Sequence, residues 1–134
     1  MRTTLLLSAL VIAIAPCAAA EGPVTTPSGL VYQIVTHGTG PAAKRGQQVL
    51  VHEILSLADG TVIYSTRTND QAVKFLLGAK QAIDGVDEGV TGMQAGERRK
   101  LIVPPKLSKR TTYPKGLSPD ATLYYDVELI AIEK

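Results

Sequence analysis

The chain of 134 residues has no tryptophan, one phenylalanine and one cysteine. Each scarcity excludes something. A lone thiol, Cys17, forms no internal disulfide and builds no thiolate metal cage. Besides it there are only His37 and His52, and no carboxylate spacing around them completes a zinc site, so neither metal nor cofactor is expected. The formal net charge of +2 is too small to hold nucleic acid or an anionic membrane surface. With five tyrosines and one phenylalanine, any apolar pocket must be walled chiefly by aliphatic side chains.

Long apolar runs are also missing, with one exception at the N-terminus. Leu5 to Ala15 is an apolar stretch of about eleven residues, half of the roughly twenty needed to span a membrane. Arg2 precedes it, and Ala18-Ala19-Ala20 offers small residues before Glu21, which is the pattern of a secretory signal. Residues 1–20 are therefore read as a cleaved signal and the protein as secreted. Pro16 beside Cys17 disfavours lipid attachment, which wants a small flexible residue there. The C-terminal Ala131-Ile132-Glu133-Lys134 resembles no retention signal, so a bacterial periplasm is the expected compartment. Loss of Arg2 with the signal lowers the formal charge from +2 to +1.

What remains is read as a flexible Pro/Thr leader, 21–28, followed by one domain, 29–134. Leu30–Thr36 is β-branched and predicts a strand, and 37–47 is a turn-rich connection. Val49 to Leu57 alternates with period two, placing Val49, Val51, Glu53, Leu55 and Leu57 on one face. Glu53 is the anomaly in that row, because a buried carboxylate is expensive without a partner. Asp59-Gly60 predicts a hairpin into a short strand at Thr61–Tyr64. Another short strand follows at Val73–Leu77. Ile83, Val86, Val90 and Met93 step by three and four, predicting a short helix over 83–93. A turn at 94–97 leads to a strand at Arg98–Val103, which Pro104-Pro105 ends. The loop 105–119 carries Lys106, Lys109, Arg110 and Lys115, and is read first as solvated and second as a site for an acidic partner. A long strand, Ala121–Ile132, closes the chain with Leu123, Tyr125, Val127 and Leu129 facing inward. Strands with one helix and no βαβ alternation predict an α+β class with an antiparallel sheet.

Six segments together resemble the FKBP family of peptidyl-prolyl cis-trans isomerases: SGLVYQIVTHGTG at 28–40, VLVHE at 49–53, LADGTVIYST at 57–66, VKFLLG at 73–78, AIDGVDEGVTGMQAGERRKLIVPP at 82–105 and PDATLYYDVELI at 119–130. No single segment is specific; their order and spacing are. The resemblance implies a sheet of about five antiparallel strands curled around one short helix, with a pocket between them. It also implies a chemistry without nucleophile, metal or cofactor. Rotation about an Xaa-Pro bond breaks amide resonance, at a barrier of roughly 20 kcal/mol, and a dry shaped pocket favours the twisted amide.

Carried over position by position, the resemblance keeps an aromatic wall at Tyr125 and the isoleucine whose backbone N–H binds the ligand carbonyl, Ile83. The family's floor tryptophan is Val86, its two other pocket phenylalanines are Ile63 and Val73, and its Tyr-Gly after the double proline is Lys109-Arg110. Its strand tyrosine is Glu53 and its aspartate after the hairpin is Tyr64. The candidate pocket is thus Ile83, Tyr125, Val86, Ile63, Val73, Tyr64, Glu53, Lys109 and Leu117. Proline-containing polypeptides or a protein partner are the expected ligands, the activity is expected to be weak, macrolide inhibitors are expected to bind poorly, and a monomer is expected. The alternative is a non-catalytic protein- or peptide-binding module on the same fold.

Glu53 and Tyr64 have exchanged chemical type relative to that family. A direct hydrogen bond between them, within about 3.2 Å, is therefore expected, with Lys109 as the approaching counter-charge. Export itself is checked by mass spectrometry. The secreted protein should begin at Glu21 without acylation, and a lipid-modified Cys17 as first residue would refute this.

Overall fold

The computed structural model describes residues 22–133. The signal peptide expected at 1–20, Cys17 included, lies outside the described residues. Among the described residues no helix is long and apolar enough to cross a membrane.

The alternating row around Glu53 becomes the spine of the sheet. Strand β4 (Gln48–Ser56) follows β1 (Val24–Thr25), β2 (Val31–Thr36) and β3 (Thr39–Ala42). After it come β5 (Val62–Ser65), β6 (Val73–Leu76), the helix α1 (Asp84–Val90), β7 (Gln94–Ala95), β8 (Arg98–Val103), a 3-10 turn at Pro105–Leu107 and β9 (Leu123–Glu133). The main sheet runs β1-β2-β8-β9-β4-β5, with β6 pairing the other end of β4, and all pairings are antiparallel. β3 and β7 form a small separate pair. This is the α+β arrangement expected from the element order.

Burial alternates along β4 as the period-two reading requires, with Val49, Val51, Glu53 and Leu55 inward. On β9 the inward residues are Leu123, Tyr125, Val127 and Leu129, again as expected. Together with Leu101, Val103, Phe75, Val86, Val90 and Met93 they make one core between sheet and helix.

The helix lies directly against β8 because its glycines remove the spacing that side chains would impose. A Cβ on Gly85 would fall 2.4 Å from a Val103 methyl, and one on Gly89 2.6 Å from Leu101. At the C-terminal end of α1, Arg99 forms a buried ion pair with Glu97, donates to the Gly89 carbonyl at 3.3 Å and lies 4.8 Å over the Tyr32 ring. The helix is shorter than expected, 84–90 rather than 83–93. Gly92 adopts φ +90 and turns the chain so that the Met93 N–H bonds back to Val90.

Three readings of loops are corrected. The leader is not wholly irregular: Val24 and Thr25 pair with Tyr32 and Val31, and the intervening turn is closed by Thr26 N–H to Leu30 O at 2.8 Å. The connection 37–47 contains β3, which pairs with β7 inside the expected 94–97 turn. The loop 105–119 is anchored rather than merely solvated, since Ser108 and Leu117 are buried. Short-range sequence pattern misses such pieces because their partners are distant in the chain.

The close helix–sheet approach makes a stability prediction. Gly85→Ala forces a methyl against Val103, a stiff β-branched side chain with no exposed surface. Overpacking of this kind costs about 1–3 kcal/mol, more than the ~1 kcal/mol gained in helix propensity. The urea midpoint should fall with an unchanged m-value; an unchanged or higher midpoint would show that the helix shifts freely.

Candidate functional site

Antiparallel register explains how the unusual residues meet. Leu55 pairs with Tyr64 on one side and with Tyr125 on the other. Glu53 lies two residues from Leu55 on the same inward face, so both tyrosines are its diagonal neighbours, about 7–8 Å away at Cα and within reach of a long aromatic side chain. The Glu53 backbone is held on that edge by Thr66, whose Oγ1 accepts from Glu53 N–H at 2.8 Å and whose N–H donates to Glu53 O at 3.0 Å.

The Tyr64 hydroxyl donates to Glu53 Oε1 at 2.5 Å, so the expected pair is present. Glu53 retains 8% exposure. The counter-charge is Arg110 rather than Lys109. Arg110 Nη2 donates to the Tyr125 hydroxyl at 3.0 Å, and its guanidinium acts electrostatically on Glu53, whereas Lys109 is exposed. Both adjacent positions line the cleft, and sequence spacing does not say which of them reaches the Glu53 corner.

Burial pushes the Glu53 carboxyl above the ordinary glutamate range, and the Tyr64 hydrogen bond and Arg110 charge only partly restore it. The Tyr64 phenol is pushed up by burial and then by the neighbouring Glu53 charge, so it stays a donor. Tyr125 is also raised, by burial first and then by Glu53, with Arg110 opposing.

These groups form one side of a cleft of about 460 Å³, which also takes in β6 and the turn before α1. Seven of the nine residues singled out in the sequence line it: Glu53, Tyr64, Val73, Ile83, Val86, Lys109 and Tyr125. The other two do not. Ile63 packs on the core from β5, and Leu117 is a buried core residue. Phe75, Lys74 and Lys80 line the cleft without having been singled out, and Arg110, named as a loop cation but not among those nine, does so too. Phe75 was legible, being the one phenylalanine in a chain without tryptophan. Lys74 and Lys80 were not, because they approach the cleft from a strand and a turn that give no motif.

Ile83 is in extended conformation immediately before α1, and among the described residues its N–H donates to nothing, while its carbonyl accepts from Val86 and Asp87. It therefore offers a free donor at the cleft wall. Val86, 2% exposed, forms the apolar floor. Another concavity of similar size lies on the outer face of the sheet around Ile54, Ile102 and Tyr124. Its lining also carries polar groups, Gln33, Lys100 and Asp126, but of the nine residues singled out only Tyr125 reaches it, so the inner cleft is the candidate.

A model of the FKBP-type peptidyl-prolyl cis-trans isomerase family matches residues 40–130. The chain is 36% identical over 107 residues to peptidyl-prolyl cis-trans isomerase FKBP1A of Xenopus laevis, covering 78% of this chain and 99% of the relative. It is 38% identical to FK506-binding protein 4 of Mycosarcoma maydis, covering 80% of this chain but 28% of that longer protein. Among solved structures, FkpA from Escherichia coli superposes with a TM-score of 0.75 at 34% identity, covering 84% of this chain and 52% of that one. AtFKBP13 superposes with a TM-score of 0.73 at 30% identity, covering 84% and 100%.

The buried pair sets a pH dependence. Folding raises the Glu53 pKa, so the folded protein holds that proton more tightly than the unfolded chain. This contribution to stability is full below the ordinary glutamate range and is lost as pH rises through the raised value. Glu53→Gln should flatten the stability curve across that window in chemical denaturation. Tyr64→Phe strands the carboxylate and should cost about 1–3 kcal/mol at pH 7, and equal stability of that variant would show that solvent replaces the phenol.

Proposed function

The chain belongs to the FKBP-type peptidyl-prolyl cis-trans isomerase family, and on that premise we propose that it is a weak prolyl isomerase and folding assistant, exported to a bacterial periplasm. The observation that carries the reading is the inner cleft itself. It is a half-open cleft in which Ile83, Val73, Phe75, Val86 and Tyr125 converge on one volume.

A proline ring seated there lies against Val86 and Phe75, with Tyr125 and Val73 as further walls. The unused Ile83 N–H receives the carbonyl of the bound peptide, the role the family resemblance gives it. As the amide twists, its resonance and dipole weaken, so the apolar part of the cleft favours the twisted form over the planar one. No covalent step is required, because the isomerisation only rotates a C–N bond.

The weakness follows from the same walls. The floor is a valine, Ile63 packs away from the cleft, and the polar corner of Glu53, Tyr64 and Arg110 occupies space that a proline ring would use. An aliphatic cup holds the ring with less surface than stacked aromatics do. The same substitutions leave a poor seat for the macrolide after which the FK506-binding relatives are named.

The second reading is a non-catalytic peptide- or protein-binding module. It is favoured by the Glu53–Tyr64 bond, which commits polar groups in the cleft to each other instead of to a turning amide.

Exchange NMR on a panel of Xaa-Pro peptides separates the two. A kcat/KM more than tenfold below that of an ordinary FKBP, equivalent to about 1.4 kcal/mol or more in the barrier, is expected. A value within tenfold would overturn the weak-isomerase reading, and binding without any exchange enhancement would select the binding module.

A further inference from the structure

The cleft is unevenly charged. Its lining includes four cationic side chains, Lys74, Lys80, Lys109 and Arg110, and one carboxylate, Glu53. They come from three separate parts of the fold: β6, the turn ahead of α1 and the loop after Leu107. Nothing in the modest net charge of the chain requires them to gather there.

Their existing commitments differ. Lys74 is 2.9 Å from Glu133 and is largely neutralised. Glu53, the one opposing charge in the lining, is buried and takes its hydrogen bond from Tyr64. Lys80 and Lys109 are exposed, and among the described residues neither has a hydrogen bond or ion pair. Arg110 donates to Tyr125 from Nη2 only, while its Nε is buried with no partner. An unpaired buried guanidinium N–H is costly to leave unsatisfied. Asp84, the first residue of the helix, is exposed and is not part of the lining.

We propose that this cleft selects acidic peptides, in which an Asp or Glu side chain stands beside the proline and is received by Lys80, Lys109 and Arg110. This rests on the reading of the cleft as the peptide site and names the class of substrate that it prefers. The apolar floor takes the proline ring, and the cationic side takes the neighbouring carboxylate. Arg110, already oriented by Tyr125, presents the planar fork suited to a carboxylate. Lys80 and Lys109 act as point charges at the mouth and steer acidic chains toward it.

The test uses blocked peptides Ala-Xaa-Pro-Ala and Ala-Pro-Xaa-Ala with Xaa as Glu, Gln or Lys, titrated into the 15N-labelled protein. Amide shifts report where each peptide binds and its affinity. The Glu peptides should bind about fivefold or more tightly than the Gln peptides, with the Lys peptides weakest. Raising salt from about 0.02 M to 0.5 M should compress the differences, as expected for exposed charges. The double variant K80E/K109E should abolish the preference for Glu, read as the ratio of Glu-peptide to Gln-peptide affinity within that variant; a ratio that stays at its wild-type value would overturn the preference. Equal affinities for all three, with shifts confined to the cleft, would overturn the charge preference and leave the peptide site intact. Shifts nowhere near Ile83, Val86 and Tyr125 for any peptide would overturn the site and the preference together.

Discussion

A carboxylate stands in the inward row of the central strand, between Val51 and Leu55, where every other side chain is aliphatic. Buried charge is stable only with donors arranged around it, and the strands supply them through register. Tyr64 and Tyr125 are brought to either side of Glu53 by their common pairing with Leu55. Arg110 then closes the corner over Tyr125, drawing the loop after Leu107 onto the sheet. The polar corner of the cleft and the position of its loop thus follow from the need to partner one side chain.

The opposite wall is governed by proximity. Gly85 and Gly89 let α1 rest on Val103 and Leu101, which sets the depth of the cleft and places Val86 at its floor. Further contacts fix the helix along its length. Asp87 accepts from the Gly78 N–H at 2.9 Å, and Ser28 donates to Glu88 at 2.6 Å. The turn carrying Lys80 is thereby tied close to the helix whose first residue follows Ile83.

The two walls differ in chemistry only in part. Ile83 and Val86 on the helix side and Val73 and Phe75 on β6 are apolar, while the charged groups come from β4, β6, the turn before the helix and the loop after Leu107.

Much of the architecture was legible along the chain. Period-two alternation identified the inward rows of β4 and β9 residue by residue, because a strand buried on one face must alternate. The Glu53–Tyr64 bond was also legible, since an acid in an aliphatic row demands a donor and the matching positions had exchanged types. The sequence could not choose between Lys109 and Arg110, since a loop without periodicity does not encode which neighbour reaches Tyr125 and Glu53. Nor could it show that Ile63 and Leu117 point into the core, or that Lys74 and Lys80 meet the loop cations at one cleft. Alternation and hydropathy act over a few residues and are written in the sequence itself. The convergence of charges from β6, a turn and a distant loop exists only once the sheet has curled around the helix, and tertiary packing alone decides it.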